Sequence, residues 1–408
     1  MGGKGAILLV LSFSILFMIF GNRFGWLATD SVENYADYYI ETKAHNIAVS
    51  AANIAANAIF FDGSWDDGFD EIDFNGGEIE VTISDVGSEK LMICTGTYQG
   101  ITKEVKVRFK PSSFGKFAYY MNLFGGADKF YTGDTIWGPF HTNGKLTTQG
   151  SPVFMGKATT NLGLKMFAPK DPKFYGGYES GVDVPFEFDT TGIPTAAGSG
   201  GKLFPAGPLD VRLIFNSDAS ITYSTSPSGA SAWSAAVTEP LSTFAPNGVI
   251  WNPKGNLYVS GTVNGKYTVG VGISSGVGSG NVYIEDDLVY RKDPIEDPTC
   301  TDMLGIVSGN NVLIADVPAN HSNVNIHASI LATKGGLAVE NLNSFPAAGN
   351  LYLAGGIIGH QNQSFAKFSG STLTNGFNLK LKYDERFMVV APPKFPNTAG
   401  LEIVSWFE

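Results

Sequence analysis

The amino-terminal stretch Ala6-Ile-Leu-Leu-Val-Leu-Ser-Phe-Ser-Ile-Leu-Phe-Met-Ile-Phe20 is apolar except for two serines, and no charged residue lies between Lys4 and Arg23. A helix needs roughly 17 to 25 residues to cross a bilayer, so the run is just long enough. A cleaved secretory signal would continue with small residues and a cleavage site. Because Gly21-Asn-Arg-Phe-Gly-Trp26 follows instead, we expect the segment to stay attached after export.

Helical patterning continues beyond this run. Small or apolar residues recur on one face, and polar residues recur at similar spacing on a second face. The first face comprises Ile47, Ala51, Ile54, Ala55 and Ala58, and the second comprises Asn46, Ser50, Asn53 and Asn57. The sequence therefore predicts a helix over 6–60 that stops at Asp62-Gly63, within a transmembrane and assembly segment 1–61. Three residues inside it favour an interruption: Gly21, Asn22 and Gly25.

Two interpretations of this helix stay open: a single-pass anchor with a stalk, and a helix that also packs into a filament. Lys4-Gly5-Ala6, a short basic leader ending in glycine, resembles the prepilin-peptidase site of type IV pilins and pseudopilins. The resemblance implies cleavage between Gly5 and Ala6. Most major pilins carry a glutamate a few residues after the cut, where this chain has Val10. The resemblance therefore implies a minor or tip subunit rather than the bulk subunit.

Residues 62–135 are predicted to form a small antiparallel β module. Its first part, 62–73, holds six carboxylates in twelve residues. The spacing does not match an EF-hand, so we interpret it as a solvated acidic loop, with a calcium loop as the alternative. Three alternating runs follow, at 78–84, 90–97 and 101–109. They predict a meander of three strands joined by hairpin turns.

The last of these runs shows the pattern of a half-buried antiparallel strand. One face carries Val105, Val107 and Phe109, and the other carries Lys106, Arg108 and Lys110. A long helix packed on a short meander is also the plan of pilin and pseudopilin heads. The stretch Ile93-Cys-Thr-Gly-Thr-Tyr-Gln-Gly100 resembles the PilX-like group, which implies the same head fold.

Composition points to a turn-rich β protein for the rest of the chain. Glycine supplies 50 of 408 residues, and only 16% of residues are charged. The 27 basic and 38 acidic side chains give a formal net charge of −11. Because that charge repels phosphate polymers, we expect no nucleic-acid partner.

Residues 136–408 repeat a short theme of a turn residue, an asparagine and an apolar-x-apolar strand. It occurs at Gly255-Asn-Leu-Tyr-Val259, Gly280-Asn-Val-Tyr-Ile284, Asn310-Asn-Val-Leu-Ile314, Ser322-Asn-Val-Asn-Ile326 and Gly349-Asn-Leu-Tyr-Leu353. Successive asparagines are 25, 30, 12 and 27 residues apart. Intervals near 25 suit one coil of a solenoid. We therefore predict a mainly β protein ending in a right-handed parallel β-helix, with an irregular insertion at about 160–250 that contains a projecting hairpin, Val211–Phe215 with Ile221–Thr225.

This body resembles a family of uncharacterised domains found behind pilin-like amino termini in bacterial pilus-associated surface proteins. The resemblance rests on five stretches: the hairpin Leu213–Thr225, Val259–Val269, Asn281–Tyr290, Asp302–Val307 and the ending Glu402–Glu408. The family carries no assigned catalytic residues, so the resemblance implies none here.

No motif predicts catalytic, cofactor-binding or metal-binding residues. Glu285-Asp-Asp287 and Arg291-Lys292 fall at a strand end without a convergent acid/base set. His321, His327 and His360 match no metal-site spacing. Tyr258, Tyr283 and Tyr352 recur at one place in the motif, so they form either a structural stack or a ladder that binds glycans or a partner. Cys94 and Cys300 form either one extracytoplasmic disulfide or two buried thiols.

The resemblance implies a structural, pilin-like subunit of the minor or pseudopilin type. Its helix would hold it in a bacterial inner membrane, with the rest in the periplasm, on the cell surface or in an extracellular filament. Its partners would be other pilin-like subunits and membrane lipid. The rival interpretation is a single-pass membrane-anchored adhesin that binds a glycan or a surface protein. An exported β-helix enzyme acting on polysaccharide is the least supported interpretation, so we expect no enzyme.

Overall fold

The protein is mainly β, with a long amino-terminal helix and an antiparallel sheet, as predicted. A computed structural model describes residues 3–87, 89–124, 128–273, 279–370 and 372–408. By its contacts the chain divides into two compact units, Met1–Pro111 with Gly400–Glu408, and Ser112–Ala399. The division at 111/112 differs from the boundary at 135/136 that the sequence suggests. The sequence analysis assigned residues 112–135 to the earlier module. In the structure they consist of turns and short strands, like the rest of the second unit.

The first unit begins with helix α1 (Gly3–Phe61), which has 59 residues. At about 1.5 Å per residue the helix is about 90 Å long. It runs without a break through Gly21, Asn22 and Gly25, because one interior glycine costs only about 1 kcal/mol. The helix ends as predicted: the Asp62 N–H donates to the Ala58 carbonyl at 2.9 Å, and Asp62 Oδ1 accepts from the Ser64 N–H at 2.9 Å.

The sheet of the first unit has five strands, and the first four pair antiparallel. They are β1 (Phe69–Phe74), β2 (Gly77–Val86), β3 (Glu89–Tyr98), β4 (Ile101–Ser113) and the carboxy-terminal strand Asn397–Phe407, in that order across the sheet. The predicted alternation in β4 is confirmed, since Val105 and Val107 are fully buried while Lys106 and Arg108 are exposed. Gln99 and Gly100, with φ of 48° and 81°, make the tight turn between β3 and β4.

The second unit is built of short strands. The first group is β5 (Tyr119–Leu123), β6 (Phe130–Tyr131), β7 (Thr135–Trp137), β8 (Phe140–Thr142), β9 (Leu146–Gly150), β10 (Val153–Phe154), β11 (Ala158–Thr160), β12 (Leu164–Lys170), β13 (Lys173–Phe174) and β14 (Tyr178–Ser180). The second group is β15 (Lys202–Leu203), β16 (Leu209–Phe215), β17 (Ser220–Pro227), β18 (Val237–Pro240), β19 (Val249–Asn252), β20 (Leu257–Val263), β21 (Lys266–Val271), β22 (Val282–Tyr290), β23 (Met303–Ser308), β24 (Val312–Ile314), β25 (Val324–Ala332), β26 (Leu337–Val339), β27 (Ala347–Gln361), β28 (Ala366–Ser369) and β29 (Thr372–Lys382). Two short helices, α2 (Gly192–Gly198) and α3 (Leu241–Phe244), lie between them.

Most of these strands pair in parallel, and they form three long ladders. The first ladder is β16-β20-β22-β24-β26. The second is β25-β27-β29-β7-β10-β13. The third is β15-β19-β21-β23-β25-β27-β5-β8-β11-β14. A separate three-stranded sheet has the order β12-β9-β6. The apolar side chains between the ladders form one continuous buried cluster.

The order of the strands within the ladders differs from their order along the chain. β5 pairs with β27 and β7 pairs with β29, so the first group of strands continues the ladders beyond the last strands of the second group. Residues 181–201 then connect β14 to β15, which lies at the opposite end of the third ladder. This connection is fixed to the ladders in part by Tyr120, whose hydroxyl donates to the Val184 carbonyl at 2.7 Å.

The predicted irregular insertion at about 160–250 contains strands as well as irregular stretches. β12, β13 and β14 pair in parallel with β9, β10 and β11. β13 and β14 have only two and three residues, which is too few to show a pattern. The predicted hairpin is formed by β16 and β17. It was predicted to project from the body, but one of its strands is part of the sheet. β16 also pairs in parallel with β20 and belongs to the first ladder.

Candidate functional site

The amino-terminal part of α1 is the largest exposed apolar surface in the described residues. From Gly3 to Tyr39 every residue is exposed, including Val10 at 64% and Phe17 at 74%. Among the described residues, α1 is the single helix that is long and apolar enough to cross a membrane. Such an apolar surface is stable only when lipid or protein covers it.

The predicted processing residues lie at the start of this exposed part. Gly5 and Ala6 are both exposed residues of α1, and no atom outside the helix lies within 4 Å of the position a Cβ would take on Gly5. A peptidase would therefore meet no tertiary structure there. Whether the bond between Gly5 and Ala6 is cut stays a prediction.

The carboxy-terminal third of α1 packs on the sheet through a face rich in alanine. Its buried residues are Ala44, Ile47, Ala48, Ala51, Ala52, Ala55 and Ile59. Ile47, Ala51 and Ala55 were predicted on this face, but Ile54 is 42% exposed, so its predicted position was wrong. The small side chains let the helix backbone come close to the strands beneath it.

Gly96 in β3 is the point of closest approach, and sequence reasoning did not single it out. A Cβ at this position would lie 2.3 Å from the Ala48 nitrogen and 2.5 Å from the Ala44 carbonyl oxygen. Only glycine fits there. The signal was a glycine inside an alternating strand, which marks a bulge or a close backbone approach. Nearby, Lys103 Nζ and Glu41 Oε2 form an ion pair at 3.1 Å between β4 and the helix.

The acidic segment 62–73 lies in the turn after α1 and in β1. Asp62 is engaged by the backbone N–H and hydroxyl of Ser64, and these hydrogen bonds hold the pKa of its carboxyl below the usual value. Within the part of the chain that the structure describes, no three His, Cys, Asp or Glu side chains are grouped so as to hold a metal ion. Calcium binding by this segment stays a prediction.

The repeated asparagines occupy corresponding corners of the ladders. Asn256 Oδ1 accepts from the Asn281 N–H at 3.1 Å, across 25 residues, and Asn281 Oδ1 accepts from the Asn311 N–H at 3.1 Å, across 30. Asn311 Oδ1 continues the series by accepting from the Gly336 N–H at 3.2 Å. We call this series the asparagine ladder. It explains why the motif places asparagine directly before each strand.

The three tyrosines of the motif do not form one ladder. Tyr258 and Tyr283 stack with ring centroids 4.8 Å apart and planes at 10°. Tyr352 is paired instead with Asn325 and Lys380, in the second ladder. The motif occurs in two different ladders, and its amino-acid sequence does not show to which ladder a copy belongs.

The charged groups considered for catalysis are engaged with neighbouring strands. Arg212 donates to both carboxylate oxygens of Glu285, at 2.7 and 2.8 Å. The Arg212 guanidinium also lies 4.2 Å from the centre of the Trp233 ring. Asp287 accepts from the backbone and side-chain nitrogens of Asn325, at 2.8 and 3.0 Å. The first contact spans from β16 to β22 across β20, and the second joins the paired strands β22 and β25.

Both cysteines are free and buried. Cys94 is fully buried in the core of the first unit, and Cys300 is 4% exposed in the second. Burial raises the pKa of the Cys94 thiol to about 12. The alternative of two buried thiols is therefore the one observed.

Comparisons with known proteins add one likeness. No protein-family model matches the chain, and no curated protein matches it. Among solved structures, the chain is similar to the competence-associated pilin ComZ from Thermus thermophilus, with 11% sequence identity, over 90% of this chain and 97% of that chain. The TM-score is 0.32. A likeness of that size carries no argument about fold or function.

Proposed function

We propose that this chain is a membrane-anchored, pilin-like structural subunit of the minor or pseudopilin type. One observation carries the proposal: α1 is continuous from Gly3 to Phe61, yet only its last third is buried by the protein itself. The exposed part is apolar over 6–20, and that stretch needs a cover of lipid before assembly and of other helices afterwards. The leader ending at Gly5, directly before Ala6, supports the same reading.

The second unit is proposed to be a right-handed parallel β-helix that the anchor displays on a filament or on the cell envelope. Three parallel ladders with steps such as 25, 27 and 30 residues support it. Parallel crossovers are right-handed in nearly all proteins, which gives the handedness. The asparagine ladder would stabilise successive corners of the same helix.

The proposed location is a bacterial inner membrane, with the second unit in the periplasm or at the cell surface. The proposed partners are membrane lipid and other pilin-like subunits, which α1 would contact directly. We further propose that the protein is not an enzyme, because Glu285 and Asp287 are used to join strands.

Cysteine cross-linking in intact cells tests the contact between helices. The variant Val10→Cys places a thiol on the exposed face of α1, and Lys106→Cys places one on the exposed face of β4. Because both native thiols are buried, the new thiol supplies the reactive group. We expect oxidation to join Val10→Cys to another subunit through its helix, and Lys106→Cys to remain uncoupled. Equal yields from the two variants, or no adduct from either, would contradict the proposal.

A further inference from the structure

The ladders of the second unit do not all continue across the junction between the two groups of strands. The second and third ladders cross it, through the pairs Leu381↔Ile136 and Ile357↔Tyr119. The first ladder stops at β26. β6 is the strand directly after β5, just as β26 is the strand directly after β25. β6 does not extend the first ladder but belongs to the separate three-stranded sheet. One face of the ladder stack is therefore open between β28 and β6.

A pocket of about 330 Å³ lies at this opening. One wall consists of residues 128–131 with Phe124, and the other consists of residues 362–368. Pockets that bind small ligands have volumes of about 300 to 1,000 Å³ and combine apolar walls with a few convergent polar groups. This pocket is at the small end of that range, which suits one or two sugar rings better than a large cofactor.

The two walls are held in place by charged groups. The Asp128 carboxylate accepts from Asn362 Nδ2 at 2.8 Å and from the Ser364 hydroxyl. Deeper in the pocket, Asp134 accepts from the Tyr131 N–H at 2.8 Å and from the Leu379 N–H at 3.2 Å. Burial raises the pKa of Asp134 to about 6, and the two backbone donors act in the opposite direction. The pocket is thus a fixed feature of the unit.

Aromatic rings and uncommitted polar groups face each other in it. The rings of Tyr131 and Phe368 stack with centroids 4.6 Å apart and planes at 22°. The two rings cover each other's facing surfaces, and because both are half-buried and line the pocket, the stacked pair keeps exposed edges. Within the described residues, neither the Gln363 amide nor the Tyr131 hydroxyl has a hydrogen-bond partner. A ligand can therefore supply partners for both.

We propose that this pocket binds a carbohydrate, with the C–H groups of a sugar ring against the exposed edges of the stacked Tyr131 and Phe368 rings and its hydroxyl groups bonded to Gln363 and Asp128. Carboxylate and amide groups bond to vicinal hydroxyls, and aromatic rings pack against the apolar face of a sugar. An extended peptide fits less well, because β6 has only two residues and offers few backbone groups for strand addition. All these residues lie in the second unit, so the proposal does not depend on filament assembly.

The test uses the full chain in detergent micelles. Saturation-transfer NMR at millimolar ligand would screen oligosaccharides of N-acetylglucosamine, galactose and glucuronic acid. We expect at least one to bind, and Tyr131→Ala to weaken it by about tenfold through loss of stacking. Tyr131→Phe keeps the ring and should lose less. Tyr258→Ala removes a stacked tyrosine of the first ladder and is the matched control, which we expect to bind normally.

Two results would overturn the proposal. One is the absence of binding by every sugar in the panel. The other is binding that persists in Tyr131→Ala but is lost in Tyr258→Ala. That result would place the binding site at the stacked rings of Tyr258 and Tyr283. Protection of Cys300 from a thiol reagent checks the fold of each variant. If Tyr131→Ala fails that check, Gln363→Ala decides, because its side chain supports no other part of the described structure.

Discussion

Gly96 sets how closely α1 approaches the sheet of the first unit. Because a Cβ would lie 2.3 Å from the Ala48 nitrogen, Gly96→Ala forces the helix and β3 apart. We expect it to lower the free energy of unfolding of this unit by roughly 1 to 3 kcal/mol. The rate at which a thiol reagent modifies Cys94 in increasing urea measures this, since Cys94 is fully buried in the same core.

Gly207→Ala, in the second unit, is the control for a glycine-to-alanine change at an open position. Nothing lies within 4 Å of the position of its Cβ, and its backbone conformation is ordinary. We expect its effect on unfolding to stay within about 0.5 kcal/mol. Equal protection of Cys94 in Gly96→Ala and in the unaltered protein would show that the helix is not held at this point.

At the scale of single residues, the sequence predicted burial where the period was unambiguous. Val105, Val107 and Phe109 alternate with charged residues and are all buried. The predicted burial of Ile54 was wrong because an apolar residue beside a row of alanines fits two neighbouring helix faces equally well. The buried face is the one that brings Ala44 and Ala48 against Gly96, and Ile54 lies outside it. That choice depends on Gly96, which is distant in sequence from Ala48.

At the scale of elements, the asparagine ladder carries a second stability prediction. Asn281 is 4% exposed, and its Oδ1 accepts from the Asn311 N–H at 3.1 Å. Asn281→Ala leaves that N–H without its partner at a corner between strands. We expect a loss of roughly 1 to 3 kcal/mol in the free energy of unfolding of the second unit. Urea unfolding followed by modification of Cys300 measures it.

The control for this prediction is Asn397→Ala, at an exposed position that begins the carboxy-terminal strand and that the contacts assign to the end of the second unit. It should change the unfolding free energy by no more than about 0.5 kcal/mol. If Asn281→Ala and Asn397→Ala unfold at the same urea concentration, the ladder contributes nothing measurable.

The repeated motif predicted part of the strand pairing correctly. The steps of 25 and 30 residues between Asn256, Asn281 and Asn311 are real ladder steps. The step of 12 residues from Asn311 to Asn323 is not a ladder step. Asn323 belongs to another corner, where its Oδ1 accepts from the Asn350 N–H, across 27 residues. Short strands such as β13 carry too few residues for any period to be visible.

At the scale of the whole molecule, the order of the ladders was beyond sequence reasoning. The junction of β27 with β5 joins residues that are far apart in the chain, as the contact between Asn122 and His360 shows, across 238 residues. The carboxy-terminal strand likewise returns to the first unit, next to β4. Neither pairing is marked in the sequence, because a strand's own residues do not identify its distant partner. The pocket at the junction was missed for the same reason.

The central claim is that α1 is processed and used as the helix of a pilin-like subunit. The most direct measurement is mass spectrometry of the amino terminus of the protein purified from its own cells. We predict a chain that begins at Ala6, with an N-methyl group. Gly5→Leu, which changes the residue before the cut, should keep the leader, whereas Gly3→Leu should still be processed. An intact Met1, or a cut beyond residue 21, in the unaltered protein would contradict the claim.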